Sequence, residues 1–486
     1  MNNFPDFPDE KFRFVKRDET IQDAVFQTKQ VGYFRDAMRR FKKNKSSVAA
    51  AVIILLLILF AILTPIFATY NMGFTDSYYT FTRPKCTLLS GLGIWDGCSN
   101  RTVNQQTYDY YEAAGAVISV KDVYEVTDGG RKNTYYDIKV DDYLAVGYEY
   151  INLTPSEYEA AAAYEKETGK QLFYPMVNLS EVQQDANTVD ANYWFEHNAR
   201  GVAQRDADGE LVPIYKTDEN SEDGLAYYSL KMNGNQYQVR VYYYDWFTYK
   251  NGQAPAFLFG TDYMGHDILT RLASGARFSL MLSVIVSAIN FIIGTIYGAI
   301  EGYYGGKLDL VMERIADVLY SIPYMVLFSL LQLRWGKEIG VVGALLLAFV
   351  LTGWIGVAST VRSQFYRFKG QEYVLAARTL GAKDGRLIAR HILPNALGTI
   401  VTSCVLMVPG VIFTESSLSY LGVLNLDSST LTSVGTMLSN AQSALSTYPH
   451  AIFFPALFIS LMMISFNLFG NGLRDALNPT LRGADE

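Results

Sequence analysis

The sequence VAAAVIILLLILFAILTPIF, from Val48 to Phe67, contains 20 consecutive residues without a charge. A helix needs roughly 20 apolar residues to cross the hydrocarbon core of a bilayer, so this stretch indicates a membrane span. Similar stretches follow at Phe278–Ile300, Ile315–Leu333, Ile339–Val361, Ile392–Thr414 and Ala451–Leu473, the second of them weakened by Asp317. Because a soluble fold rarely needs even one such helix, the set predicts an all-α polytopic membrane protein with six transmembrane helices.

The segment between the first two predicted spans differs from the rest in composition. Residues 70–256 contain 27 Asp and Glu against 15 Lys and Arg, whereas the remainder contains 21 against 26. This segment is rich in Tyr, Val and Phe, unlike a disordered tail. A capping box at Thr154–Glu157 predicts a helix that ends at Gly169. Predicted strands are Val117–Tyr124, Tyr135–Val140 and a hairpin of Tyr227–Met232 with Tyr237–Trp246. We therefore expect a large α+β insertion between spans 1 and 2.

Positive charges near the predicted spans set the expected orientation. Six Lys and Arg residues lie between residues 35 and 45, seven lie between 362 and 390, and none lies between 416 and 450. Because basic loops stay in the cytoplasm, both termini are expected inside and the acidic insertion outside. The expected divisions are a basic N-terminal segment 1–46, a first span 47–69, an extracellular insertion 70–256 and a helical core 257–486 that contains the cytoplasmic loop 362–394.

Cysteine and histidine usage bears on the chemistry. Cys86 and Cys98 fall in the expected extracellular segment, where disulfides persist, so they are a candidate pair; two buried free thiols are the alternative. The four histidines have no metal-ligand spacing, and no G-x-S-x-G nucleophile motif occurs. The sequence also lacks the G-x-x-x-x-G-K-[ST] phosphate loop, so we expect no ATPase site, catalytic residue or metal site in this chain.

The strongest functional signal is the basic loop between the fourth and fifth predicted spans. It contains EYVLAARTLGA, from Glu372 to Ala382. Residues 371–380 have helix-forming character, Ala376 and Ala377 form a smooth patch, and Gly381 permits a sharp turn. A second basic helix is expected to run to Pro394. Such a helix can dock into a groove on a cytoplasmic partner and carry its motion to the spans; an interfacial helix without a partner is the alternative.

This loop resembles the conserved cytoplasmic loop of bacterial ABC importer permeases. Their pattern is Glu-Ala-Ala, three residues, Gly, nine residues and Ile-x-Leu-Pro. Leu375 stands where the pattern has Glu, and His391 stands where it has Ile; Glu372, one turn earlier, is the candidate substitute for the missing carboxylate. The resemblance implies an ATPase-coupling set of Glu372, Ala376, Ala377, Arg378, Gly381 and Pro394.

A second segment resembles the signature that precedes the second span in dipeptide and oligopeptide permeases. It reads GTDYMGHDILTRL, from Gly260 to Leu272, with His266 where those permeases usually carry Arg. Its glycines predict a tight turn into an amphipathic helix, which Asp262, Asp267, Arg271 and Arg277 are expected to tie together. The candidate signature residues are Gly260, Thr261, Asp262, Gly265, Asp267 and Arg271.

Polar residues inside predicted spans are further candidates, because charges within a bilayer are costly and usually face the protein interior. Asp317, Glu415 and Asn467 are the candidate pathway residues. The two carboxylates either line the path of a zwitterionic peptide or pair with Arg314 or backbone dipoles. Pro409-Gly410 is expected to kink the fifth span.

Taken as a set, these motifs resemble the C-type partner of the permease pair. The resemblance implies a type I ABC importer permease fold and a translocation subunit for oligopeptides or dipeptides in the bacterial cell membrane. Expected partners are a second permease, two cytoplasmic ATPase subunits that bind ATP and Mg, an extracellular binding protein and membrane lipids, without nucleic acid or a cofactor on this chain. Nickel chelates or another small solute as cargo, an ATPase-independent channel or transporter, and a membrane-anchored sensor are the alternatives. The insertion 70–256 is longer than the resemblance explains.

Overall fold

The computed structural model describes residues 33–128, 131–178, 191–198, 202–221 and 223–477. Its helices are α1 Tyr33–Lys43, α2 Lys45–Phe67, α3 Gln105–Ala113, α4 Pro155–Thr168, α5 Tyr243–Asn251, α6 Ile268–Tyr304, α7 Gly306–Tyr320, α8 Tyr324–Thr352, α9 Ile355–Phe368, α10 Glu372–Thr379, α11 Asp384–Arg386, α12 Leu393–Tyr420, α13 Val434–Ala441 and α14 His450–Leu477. Its strands are β1 Cys98–Asn104, β2 Val117–Asp128, β3 Arg131–Asp141, β4 Tyr148–Leu153, β5 Phe173–Tyr174, β6 Tyr228–Lys231 and β7 Gln236–Tyr242.

Within the described ranges, 5 helical stretches are long and apolar enough to cross a membrane, so the predicted count of six is not confirmed. These stretches are Lys45–Phe67, Ile268–Tyr304, Tyr324–Phe368, Asp384–Tyr420 and His450–Leu477. The predicted span Ile315–Leu333 crosses the break between α7 and α8, where Pro323 is the residue before α8. Proline has no N–H to donate to the preceding turn and its ring crowds that turn, which favours a helix break. The predicted span therefore covers the end of one helix and the start of another.

The predicted span Ile339–Val361 is also interrupted. Gly340 lies inside α8 with a left-handed φ of 73°, and a turn at Gly353-Trp354 separates α8 from α9. By contrast, α12 runs through Pro409 as one helix.

A stripe of glycines lets α6 pack closely against α9. Gly294, Gly298 and Gly302 are spaced four residues apart and therefore share one face of α6. A Cβ atom added at Gly298 would lie 2.2 Å from the carbonyl oxygen of Ala358, and one at Gly294 would lie 2.6 Å from that of Trp354. Small residues of this kind allow helix backbones to approach within a membrane. Helix α6 also packs against α2 and α12, while α14 packs against α2 and α12.

The short helix α1 is attached to the far end of α14. Phe41 contacts Phe469 edge to face, with 5.4 Å between ring centroids. The hydroxyl of Ser47, in the first turn of α2, donates to the carbonyl of Leu468. The start of α2 and the end of α14 therefore lie at the same side of the bundle.

The polar segment between α2 and α6 contains two antiparallel sheets. One has the order β1-β3-β2; in the other, β7 pairs with β4, β5 and β6. The predicted capping box is confirmed, because Thr154 and Glu157 bond reciprocally, and Gly169 ends α4 in a left-handed conformation. The predicted hairpin is confirmed as β6 paired with β7, although the second strand stops at Tyr242 because α5 begins at Tyr243.

The chain leaves the helical part and returns to it at adjacent points. The backbone N–H of Lys85 donates to the carbonyl of Phe257 at 2.9 Å. Before that point, the N–H of Phe81 donates to the carbonyl of Asp262 at 2.9 Å. Residues just before Lys85 therefore pair with the segment that leads into α6, and the inserted domain proper is enclosed between Cys86 and Ala256.

The predicted disulfide is wrong, because Cys86 and Cys98 are free in the structure. Lys85 pairs with Asp96 in an antiparallel bridge, which sets Cys86 opposite Trp95 and leaves Cys98 three positions further along. The two cysteines are therefore not directly opposite each other in this pairing. Burial raises the pKa of the Cys98 thiol to about 11, so this thiol stays protonated at neutral pH.

Candidate functional site

The basic loop forms the predicted helix and turn. Helix α10 spans Glu372–Thr379, and Gly381 follows with φ of 86°, a left-handed conformation that favours glycine. The loop then continues through the single turn α11 and a π-helical stretch, Leu387–Ile392, into α12. The prediction of a short helix, a sharp turn and a second helical stretch is confirmed.

The two sides of this loop differ in exposure. Val374 is fully buried and packs in a cluster with Leu387 and Ile392. On the other side, Glu372, Leu375 and Ala376 are exposed. At the end of α10, Leu380 is 88% exposed, although it is a large apolar side chain. The loop therefore presents two exposed leucines, Leu375 and Leu380, on the side opposite its buried anchor Val374.

A tyrosine at the end of α6 fastens this loop to the helical bundle. The hydroxyl of Tyr303 donates to Oδ1 of Asp384 at 2.5 Å, and Nη2 of Arg378 donates to the Tyr303 hydroxyl at 3.3 Å. Sequence reasoning assigned Arg378 to the loop but missed Tyr303 and Asp384. No pattern in the sequence connects residues 303 and 384, because the fold alone brings them together.

A second network missed by sequence reasoning joins α9 to α7. The guanidinium of Arg362 donates to both carboxylate oxygens of Asp309, at 2.6 and 2.9 Å, and to Glu313 at 3.0 and 3.1 Å. The Tyr366 hydroxyl donates to Asp309 at 2.7 Å. The bond from Arg362 lowers the pKa of the Asp309 carboxyl, so Asp309 stays ionised in this bidentate pair. The sequence presented Arg362 only as one of the basic residues that set orientation.

The predicted signature segment forms a tight turn at the opposite end of α6. Gly260 and Gly265 have left-handed φ values of 77° and 75°. A Cβ atom at Gly265 would lie 1.8 Å from the carbonyl oxygen of Asp76, so only glycine fits there. Asp267 caps α6 by accepting from the backbone N–H and the hydroxyl of Thr270, at 3.0 and 2.6 Å. The Thr261 hydroxyl donates to the carbonyl of Tyr79 at 2.5 Å.

The signature also clamps a distant loop to α6. Arg271 is buried and bonds to Asp427, which also accepts from the Tyr263 hydroxyl at 2.7 Å and from Asn440 at 2.8 Å. Asp262 lies 3.0 Å from Nδ1 of His266. The expectation that Arg277 belongs to this network is wrong, because Arg277 is exposed and forms no ion pair among the described residues.

The three candidate pathway residues have separate partners. Glu415 is fully buried in α12, where it accepts from the hydroxyls of Ser279 at 3.2 Å and Ser419 at 3.1 Å. Asp317 is exposed on α7 and pairs with Arg314 at 3.0 Å, so Arg314 is the partner of this carboxylate and not of Glu415. Asn467 donates to a carbonyl of its own helix at 2.8 Å.

Within the part of the chain that the structure describes, no group of three or more His, Cys, Asp and Glu side chains is placed to hold a metal ion.

Comparisons with known proteins match both the N-terminal and the C-terminal helical regions. Residues 291–483 match the model of the binding-protein-dependent transport system inner membrane component, and residues 32–84 match the N-terminal TM domain of oligopeptide transport permease C. The match to the N-terminal TM domain ends at residue 84, next to the point where the inserted domain begins.

Curated relatives agree with these family models. The oligopeptide transport system permease protein OppC of Bacillus subtilis (strain 168) is 46% identical over 224 residues, which cover 46% of this chain and 72% of the relative. The dipeptide transport system permease protein DppC of the same strain is 45% identical over 225 residues, with 46% and 69% covered. OppC of Haemophilus influenzae is 40% identical over 221 residues, with 46% and 70% covered.

Among solved structures, the MetNI methionine ABC transporter in an inward-facing conformation matches with a TM-score of 0.37 and 16% identity over 43% of this chain and 96% of that chain. The two family models and the identity to the OppC and DppC proteins decide the assignment. The chain belongs to the oligopeptide and dipeptide branch of the bacterial ABC importer permeases, as a permease of the C type.

Proposed function

We propose that this chain is one of two membrane-spanning subunits of an ATP-driven importer of oligopeptides or dipeptides. The chain provides half of the translocation path, and its partners are a second permease, two cytoplasmic ATPase subunits and an extracellular binding protein. ATP and Mg bind to the ATPase subunits. Both termini lie in the cytoplasm of a bacterial cell, and the inserted domain lies outside. The single observation that carries the proposal is the loop helix α10, which buries Val374 and is followed by the exposed Leu380.

In this mechanism the permease couples the closure of the ATPase subunits to the rearrangement of the membrane helices. ATP draws the ATPase subunits together, and α10 moves with the subunit on which it docks. The membrane helices then rearrange, so that a site shared with the second permease faces alternately outward and inward. A peptide or a loaded binding protein biases this change only through unequal contacts with the two states. The residues of this chain bind no nucleotide; they receive displacement and pass it to the helices.

The test of this proposal is reconstitution. Affinity purification of the chain from its native membrane is expected to recover two ATPase subunits and a second permease. Proteoliposomes that contain the complex should take up oligopeptides or dipeptides only with ATP and the binding protein, whereas the chain alone should move no solute. Uptake by the isolated chain would contradict the proposal and favour an autonomous channel or transporter. Saturable uptake of nickel chelates that is not inhibited by peptides would instead identify nickel chelates as the cargo.

We propose further that the inserted domain docks or orients the extracellular binding protein. The alternative is that it only shields the outer mouth of the path. Because Lys85 and Phe257 are hydrogen-bonded neighbours, residues 86–256 can be replaced by a short Gly-Ser linker without separating the paired segments on either side. Such a deletion keeps the contacts of the signature turn with Asp76 and Tyr79, which a deletion beginning at residue 75 would remove.

For docking, we expect this deletion to weaken binding-protein affinity by about tenfold or more, since loss of a central contact commonly has that effect. The measurement is titration of the binding protein against the complex in nanodiscs, with ATPase stimulation as a second readout. Recovery of the ATPase subunits by the deletion variant is the control for folding. Unchanged affinity with unchanged uptake would eliminate docking.

A further inference from the structure

We infer that Tyr303 is the positioning residue through which the loop Glu372–Ile392 passes its displacement to α6. This inference rests on the proposed function, because it names the contact by which a docked ATPase subunit would move a membrane helix. Three elements of the chain meet at one hydroxyl group, and no other contact described above joins α6 to both α10 and α11.

The geometry at the end of α6 supports this role. Tyr303 is the next-to-last residue of α6, and its side chain is buried. Its ring packs in the cluster that contains Val374, Leu387 and Ile392. Its hydroxyl donates to Asp384 of α11 at 2.5 Å and accepts from Arg378 of α10 at 3.3 Å. The hydroxyl therefore bridges the two helical pieces of the loop and binds both to the membrane helix.

Helix α6 is suited to carry a displacement further. It has 37 residues and is therefore about 55 Å long, enough to cross a membrane and extend beyond it. At its other end, Arg271 bonds to Asp427, and the Thr270 hydroxyl oxygen lies 3.1 Å from the carbonyl oxygen of Tyr70. A shift of α6 therefore acts on the loop around Asp427 and on the segment that leads into the inserted domain.

Helix α9 is fixed to α6 and moves with it. The glycine stripe brings the two backbones together, and Nζ of Lys369, just after α9, donates to the carbonyl of Gly302 at 2.9 Å. Arg362 of α9 in turn holds α7 through Asp309 and Glu313. A displacement of Tyr303 is therefore passed to α6, α9 and α7.

The ring and the hydroxyl of Tyr303 have separable roles. The ring fills space in the apolar cluster, whereas the hydroxyl supplies the directional bonds to the loop. Replacing tyrosine with phenylalanine keeps the ring and removes only those bonds. A bond to a charged group is worth enough that its loss changes an equilibrium by about tenfold or more.

The experiment compares Tyr303→Phe with Tyr304→Phe in the complete importer, reconstituted with its binding protein. Tyr304 is the exposed neighbour, and no hydrogen bond of its hydroxyl is found among the described residues. For Tyr303→Phe we expect normal recovery of the ATPase subunits and ATP hydrolysis within about twofold of wild type, but a peptide uptake per ATP reduced by about tenfold. Tyr304→Phe should match wild type in all three measurements.

A double-mutant cycle with Asp384→Ala tests whether the bond itself is responsible. If Tyr303 and Asp384 act through one bond, the double variant is expected to be no worse than either single variant. The inference is overturned if uptake per ATP is unchanged in Tyr303→Phe, if the two substitutions are additive, or if Tyr303→Phe loses its ATPase subunits. Failure of the proposed function is distinguishable, because the wild-type complex would then show no ATP-driven uptake.

Discussion

Replacing Leu380 with aspartate is expected to abolish the association of the permease with its ATPase subunits while the permease itself stays folded. Leu380 is 88% exposed, so the substitution removes almost no packing within this chain. In the proposed complex, however, the side chain enters a groove of the ATPase subunit, where a buried carboxylate without a partner is costly. If Leu380 is a hot spot of this interface, its loss costs about 2 kcal/mol or more, which is about thirtyfold or more in affinity.

The inserted domain provides a matched control for this substitution. Leu88 is 89% exposed, yet it lies in the inserted domain and away from the basic loop. Leu88→Asp is therefore expected to retain wild-type ATPase recovery. The measurement is the amount of ATPase subunit that co-purifies per permease. If Leu380→Asp recovered as much ATPase as Leu88→Asp, the docking role of this loop would be wrong.

The second large effect is expected at Gly298, where α6 meets α9. Even the single methyl group of Gly298→Ala would lie 2.2 Å from the carbonyl oxygen of Ala358, which is backbone and cannot rotate away. The two helices must therefore separate, and overpacking of this kind costs about 1–3 kcal/mol or more. We expect a lower unfolding temperature of the permease in detergent and a loss of uptake that follows the loss of folded protein.

Gly410→Ala is the matched control, because it adds the same methyl group to another membrane helix. Apart from its chain neighbours and the nearby backbone of α12 itself, no atom lies within 4 Å of a Cβ built at Gly410. Alanine is also the better helix former by about 1 kcal/mol, so this variant should unfold at the same temperature as wild type or slightly higher. Equal unfolding temperatures for the two variants would show that the contact between α6 and α9 is looser than the structure indicates.

The features that the sequence predicts well are local. The capping box at Thr154, the hairpin β6–β7 and the helix α10 each depend on residues within a few positions of one another, and all three are confirmed. The resemblance of two short motifs to known permeases was also sufficient to identify the family, because the residue spacing within each motif can be read from the sequence without the fold.

Contacts between residues that are far apart in the sequence could not be predicted from it. The bond from Tyr303 to Asp384 spans 81 positions, and that from Arg271 to Asp427 spans 156. Hydropathy also did not predict where the helices break, because an apolar run does not reveal the change of backbone conformation at Pro323 or Gly340. The cysteine pair failed for a related reason: separation in sequence said nothing about the strand register that keeps the two thiols apart.

The hydrogen bond between Lys85 and Phe257 has a consequence for how this permease diverged from its relatives. A domain whose first and last residues are neighbours can be gained, lost or exchanged in a single recombination event, because the host needs no rearrangement to close the gap. The inserted domain could then vary in sequence while the membrane helices remained under constraint. The same site should accept an unrelated domain with adjacent termini, which makes it a natural position for building chimeric transporters.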